Sequence, residues 1–225
     1  MSRNYIAEGY ERIKLVDNIY ALLTSDFEPK ANVVLYPRAL SGDFDALAVK
    51  MAEYFDLGDQ EIFIKYSENS KLKEFRDALV EDDLRNAVDV ILNDMEFLYA
   101  SRARVHMRLL TKYTQHSDTY KFHVDGVDQN FDRFMTCYNN PVTEFVKNDD
   151  VLRVFGHDAW CKEGAKTYNF APGDIWKARI RNKPKGLIDT LIDKITREKE
   201  RRSFVHRAQA SDNPRLVVVA DLRLH

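Results

Sequence analysis

The hydrophobic period of this chain changes near residue 100, and that change limits the architectures open to it. Before that point apolar residues recur every three to four positions: Tyr5, Ile6, Tyr10, Ile13, Val16 and Ile19, then Phe44, Leu47, Ala48, Met51 and Phe55, then Leu84, Val88, Ile91, Leu92, Met95 and Leu98. This spacing predicts three amphipathic helices. Ser41 or Asp43 is placed to cap the second, and Glu81-Asp82-Asp83 suits the positive N-terminal end of the third. Residues 32–36 interrupt the pattern as a strand ending at Pro37, and residues 62–64 are a shorter, ambiguous interruption. After Ser101 the period is two. Residues 104–109 alternate polar with apolar side chains, residues 131–138 are aromatic and apolar, and residues 215–224 (RLVVVADLRL) form the clearest strand. Turn signals separate these runs at Asn139-Asn140-Pro141, Pro172-Gly173-Asp174 and Asp212-Asn213-Pro214. One helix interrupts the second half, with Leu187, Ile188, Leu191, Ile192 and Ile195 on one face and charges on the other through Arg202.

The predicted class is α+β, a single domain over residues 1–225. Residues 1–100 are mainly helical support with one or two strands. Residues 101–225 are a small barrel or sandwich with a helix inserted at about 187–202.

Composition removes several functions. The net charge of −2 argues against a polycation built for nucleic acid. Eight glycines supply neither common phosphate-binding loop. Two cysteines, in no CxxC pair, cannot staple a fold. No apolar run reaches the roughly 20 residues of a membrane span, and MSRNYIAEGYERIKLVD lacks the apolar core of a secretory signal. The expectation is a cytoplasmic protein with no membrane partner. Charge is nevertheless skewed: residues 43–96 hold 15 acids and 6 bases, and residues 177–207 hold 11 bases and 4 acids. Both read first as solvated helix faces; the sharper alternative is that the basic stretch helps hold an anionic substrate or partner.

The chemistry-bearing set is His123, Asp125 and His206. On a strand or at its end, side chains at i and i+2 point the same way, so His123 and Asp125 can share one ion. A second imidazole, His206, completes two histidines and one carboxylate, the donor set that holds one face of Fe(II) and leaves other positions open. Closed structural zinc sites use four ligands rich in Cys, and that pattern is missing. The other histidines, His106, His116, His157 and His225, read as packing or surface residues. Cys137 reads as an inert core thiol, and Cys161 has no base beside it in the sequence.

Arg215 follows His206 by nine residues, inside the final strand. HxD, a spacer holding several strands, a distal His and then Arg about ten residues on resembles the Fe(II)/2-oxoglutarate-dependent oxygenase superfamily. The blocks FDRFMTCYNNP, FAPGDIW and FVHRAQASDNPRLVVVADL look like its aspartyl/asparaginyl and proline hydroxylase branch. A closer likeness, over roughly residues 31–222, is to a bacterial family of unknown function with NVVLYPRAL, FHVD, TCY–NP–TEF and VHR segments. The resemblance implies a double-stranded β-helix (a jelly-roll or cupin-like barrel) buttressed by the N-terminal helices. It implies Fe(II) on His123, Asp125 and His206, 2-oxoglutarate as co-substrate with its distal carboxylate on Arg215, and hydroxylation of a small amino-acid-like or polar substrate. The spacer from Gly173 to His206 is long for this family because it carries the predicted helix, a candidate lid or contact within a homodimer.

Arg104, His106 and Arg108 share one face of their strand. If that face points inward, burying its charges is costly unless they meet an anion, which nominates Arg104 and Arg108 as co-substrate or substrate ligands. If it points outward, they are solvated. Arg133, on the next strand, is a weaker nominee, and Glu144 reads as a solvated strand end. Two other functions fit the same residues: a cupin-like metalloenzyme that does not use 2-oxoglutarate, and a non-enzymatic module that binds a metal or small anion.

Overall fold

The computed structural model describes residues 10, 12–27, 31–112, 119–127, 131–182 and 203–223. The described elements are β1 (Ile13–Leu15), α1 (Ile19–Thr24), β2 (Val33–Tyr36), α2 (Phe44–Tyr54), β3 (Glu61–Lys65), α3 (Ser70–Ala78), α4 (Asp82–Ala100), β4 (Arg104–Leu110), β5 (Gly126–Val127), β6 (Phe131–Cys137), β7 (Thr143–Val146), β8 (Val151–Phe155), β9 (Asp158–Cys161), β10 (Thr167–Asn169), β11 (Ile175–Ala178), β12 (Arg181–Asn182), β13 (His206–Ala208) and β14 (Arg215–Arg223).

Seven strands form one sheet in the order β1-β2-β11-β6-β14-β4-β3, and three form a second in the order β10-β7-β13. Only β1 and β2 pair in parallel within them. Strand alternation assigns the two faces of the large sheet different tasks. Val105, Met107 and Leu109 of β4, Phe134 of β6 and Leu216, Val218 and Ala220 of β14 pack against α2, α3 and α4 in the main core. On the other face, Val33, Leu35 and Trp176 pack against Phe145 and Tyr168 of the small sheet and Phe170 just beyond β10. Farther along that second face the two layers enclose a cavity.

The second and third predicted helices form as read. Asp43 caps α2 by accepting from the Ala46 N–H at 2.9 Å, and Asp82 and Asp83 occupy the first turn of α4. The first does not form as read. Residues 5–9 lie outside the described residues, Ile13 and Leu15 sit in β1, and the helix begins only at Ile19, capped by Asn18. Parallel pairing with β2 overrides a spacing of three that fits a helix equally well. The first hundred residues therefore give three strands, not one or two, and these occupy both edges of the sheet that the second half builds. The expected barrel is not closed: among the described residues the sheets remain separate and open. The predicted helix at 187–202 lies outside the described residues.

The Pro172-Gly173-Asp174 turn joins the layers. Gly173 has φ +87°, donates its N–H to Cys137 O at 2.7 Å and accepts from Arg38 Nε at 2.7 Å. Arg38 also grips Asp94 of α4, which accepts from the buried Tyr138 hydroxyl at 2.6 Å. A Cβ at residue 173 would run into the Leu40 side chain, with Cδ1 at 2.9 Å. Gly173→Ala is expected to cost roughly 2–4 kcal/mol from left-handed strain plus overpacking, lowering Tm by roughly 5–15 °C for a chain of this size. A thermal melt matching wild type would contradict this.

Candidate metal centre

His123, Asp125 and His206 come together. One ligand atom from each can be chosen so that all lie within 4.8 Å of one another. Backbone pairing places them: His123 and His206 form an isolated antiparallel bridge, with N–H···O distances of 2.9 and 3.0 Å in the two directions. Asp125, two residues on, turns to the same side as His123. His206 Nε2 lies 3.7 Å from Asp125 Oδ2, and His123 Nε2 lies 4.0 Å from Oδ1.

The set fits a cation. Asp125 Oδ2 is buried with no hydrogen-bond partner among the described residues, an acceptor whose loneliness is costly unless something positive meets it. His123 Nδ1 lies 2.8 Å from Lys121 O. A carbonyl can only accept, so Nδ1 carries a proton and Nε2 is the nitrogen turned to the group. His206 is buried between Phe204, whose ring stacks on it at 5.2 Å, and the edge of Trp176. That burial pushes its pKa down to about 4, against the opposing pull of Asp125. Burial alone would raise the Asp125 carboxyl, but His206, Arg133 and His123 hold it below its usual value. A neutral His206 beside an ionised Asp125 is the protonation state a divalent ion requires of these two groups.

The buried imidazole has a consequence for the metal-free protein. His206 binds a proton less readily folded than unfolded, so its contribution is intact above the unfolded pKa of about 6.5 and is lost as pH falls toward 4. His106, whose pKa is also lowered by burial, acts in the same direction. Metal-free protein should melt at a lower temperature at pH 5 than at pH 7.5, and His206→Asn should shrink that difference. An equal difference in both proteins would contradict the assignment.

The three groups line one end of a cavity of about 150 Å³ between the two sheets. His106, Arg108, Arg133 and Arg215 line it as well, so the polar face of β4 points inward. The structure does not bring Arg104 to this wall: it is exposed at the start of the strand, opposite Asp221 in the β4–β14 register. Arg108 reaches the wall but is engaged with Glu61 at 2.7 Å and lies over the Phe63 ring. Arg133 is held by Asp221 through two hydrogen bonds, Nε to Oδ1 at 2.8 Å and Nη2 to Oδ2 at 2.9 Å, and its Nη1 lies 3.4 Å from Asp125 Oδ1. It sits beside the carboxylate of the metal set.

Arg215 is buried. Its Nη2 donates to Thr143 Oγ1 at 2.8 Å and to Cys137 Sγ at 2.9 Å, so it spans from the large sheet to the small one. Cys137 is therefore a guanidinium contact as well as a core thiol. Glu144 is no solvated strand end: it is buried on β7 and accepts from Arg207 at 2.7 Å and from Gln209. Asp221 went unread in the sequence, although it lies six residues after Arg215 on the same face of one strand. That parity was the available signal.

Neither a family model nor a curated protein sequence matches the chain. Among solved structures, it is similar to a dioxygenase for auxin oxidation from rice at 12% identity and a TM-score of 0.41, covering 94% of this chain and 83% of that one. An Arabidopsis thaliana dioxygenase for auxin oxidation, in binary complex with 2-oxoglutarate, has 11% identity and a TM-score of 0.41, covering 94% and 92%. A Pseudomonas putida prolyl-4-hydroxylase has 12% identity and a TM-score of 0.37, covering 92% and 97%. These scores are low, and what the site can do is read from its own geometry. That geometry is two imidazoles and one carboxylate converging beside a buried guanidinium, in a cavity between two sheets.

Proposed function

We propose that this protein is a non-haem Fe(II)/2-oxoglutarate-dependent oxygenase that hydroxylates a small polar or amino-acid-like substrate, on a double-stranded β-helix formed by its two facing sheets. The carrying observation is the convergence of His123, Asp125 and His206 around the partnerless Asp125 Oδ2, in the same cavity as the buried Arg215. His123 Nε2, Asp125 Oδ2 and a nitrogen of His206 would hold the ion. Bound there, Fe(II) supplies O2 activation coupled to oxidative decarboxylation of 2-oxoglutarate, the hard step no side chain can perform.

The chain's own residues do the rest. With three protein ligands, the ion would keep coordination positions for small molecules. Arg215 offers a planar fork that matches a carboxylate, with Thr143 Oγ1 beside it as a hydroxyl partner. Trp176 and Phe204 keep the surroundings of His206 apolar. His106, half-buried on the wall and uncharged at neutral pH, is a candidate contact for a polar group of the substrate.

The test is consumption of 2-oxoglutarate. Fe(II)-loaded protein should convert it slowly to succinate in air without added substrate, and the conversion should stop when iron is removed by a chelator. Fe(II) binding without 2-oxoglutarate consumption would favour the cupin-like alternative.

A further inference from the structure

We infer that Arg133 and Asp221 are positioning residues for the metal-ligating carboxylate: Asp221 fixes the Arg133 guanidinium, which engages Oδ1 of Asp125 and leaves Oδ2 to the ion. This rests on the metal reading of His123, Asp125 and His206.

The arrangement follows from sheet register. Asp221 of β14 and Arg133 of β6 are direct cross-strand partners. Both belong to the alternating set that faces the cavity, so their side chains meet on that face. A carboxylate opposite an arginine is commonly only a sheet-stabilising pair. Here the guanidinium has a third contact. With Nε and Nη2 on the two Asp221 oxygens, the Nη1 edge is turned toward Asp125 Oδ1 at 3.4 Å. Asp125 Oδ2 is left on the other side, toward His206 Nε2 and without a hydrogen-bond partner among the described residues. The two oxygens of one carboxylate thus have separate assignments.

Asp221 is needed for this because an arginine beside a metal ligand is also a competitor. An unheld guanidinium can take both oxygens of Asp125 in a bidentate pair and displace the ion. Its charge also repels a divalent cation. Asp221 answers both problems. It restrains the fork, and it offsets the positive charge so that the trio keeps one net negative charge for the ion. The three side chains are only 14–21% exposed, so solvent screens this balance weakly.

The test is a double-mutant cycle read by Co(II) affinity and by the intensity of the Co(II) visible absorption, which reports coordination without turnover. Asp221→Asn should weaken Co(II) binding by about 10–100-fold, the range typical of groups that orient metal ligands. In an Arg133→Gln background, where no guanidinium is left to restrain, the same change should cost less than about threefold. Arg133→Lys is a second probe, keeping the charge but losing the fork, and should weaken binding by about 10-fold. Equal losses from Asp221→Asn in both backgrounds would make Asp221 a structural residue of β14 and overturn the relay. So would unchanged affinity in Asp221→Asn or in Arg133→Lys. Wild-type protein that binds no Co(II) would overturn the metal reading itself, and the relay with it.

Discussion

His123→Ala is expected to reduce Fe(II) affinity by about 100-fold or more, beyond the 10–100-fold that orienting groups alone contribute, and to abolish 2-oxoglutarate consumption. It is the cleanest of the ligand substitutions. The His123 ring sits at the edge of the site, 13% exposed, and its ring contact is with His206 at 4.6 Å. Truncation leaves the aromatic cluster around Phe145, Phe170 and Phe204 intact, so the thermal midpoint of the metal-free protein should stay within a few degrees of wild type. His206→Ala should lose metal equally, but it also opens a hole against Phe204 and Trp176 and so mixes two effects. Isothermal titration with Fe(II) under anaerobic conditions, alongside a thermal melt, separates them. Retained affinity in His123→Ala would remove the imidazole from the ligand set.

Arg215→Ala is expected to leave Fe(II) binding within a few-fold of wild type while weakening 2-oxoglutarate binding by about 100-fold, the order of a buried charge-assisted carboxylate pair. Losing its bonds to Thr143 and Cys137 should also cost about 1–3 kcal/mol of stability, since Thr143 Oγ1 and the cavity wall lose a buried donor. Arg215→Lys should fall between the two, because an ammonium keeps the charge and lacks the fork. This split between metal and co-substrate discriminates among the readings. A cupin-like metalloenzyme would tolerate Arg215→Ala, and a binding module would show no 2-oxoglutarate dependence to lose.

Much of this was legible in the chain because some segments carry their own signal. The α4 residues Leu84, Val88, Ile91, Met95 and Leu98 fall on one buried stripe, β4 alternates between the helix-facing and cavity-facing sides, and β14 is marked by its apolar, β-branched run over residues 216–220. Other segments carry none. Helix α3 is nine residues long and buries only Leu72 and Phe75 among charged neighbours, so its helical spacing is too short to stand out. Strand β7 is buried at every position, which erases alternation and hid the role of Glu144. Strand β1 is only three residues long, and its Ile13 also falls in helical step with Tyr10, Val16 and Ile19, so only its pairing with β2 decides the matter.

The site divides in the same way. His123 and Asp125 are two apart on one stretch, so their shared side can be read directly, and His206 and Arg215 follow in a recognisable order. The approach of Arg133 to both Asp125 and Asp221 depends on which residue of β6 stands opposite which of β14, and no local pattern encodes that register. Arg104 and Arg108 had equal claims from their shared face. Only the position of the cavity along β4 separates them, with Arg108 on the wall and Arg104 outside it.

Three side chains and one buried arginine are proposed to assemble an Fe(II)/2-oxoglutarate chelate. The most direct test is an anaerobic titration of metal-free protein with Fe(II) and then 2-oxoglutarate, followed by visible absorption. A weak charge-transfer band is expected that needs both additions, is absent in His123→Ala and requires far more 2-oxoglutarate in Arg215→Ala. Fe(II) binding with no band at any 2-oxoglutarate concentration would contradict it.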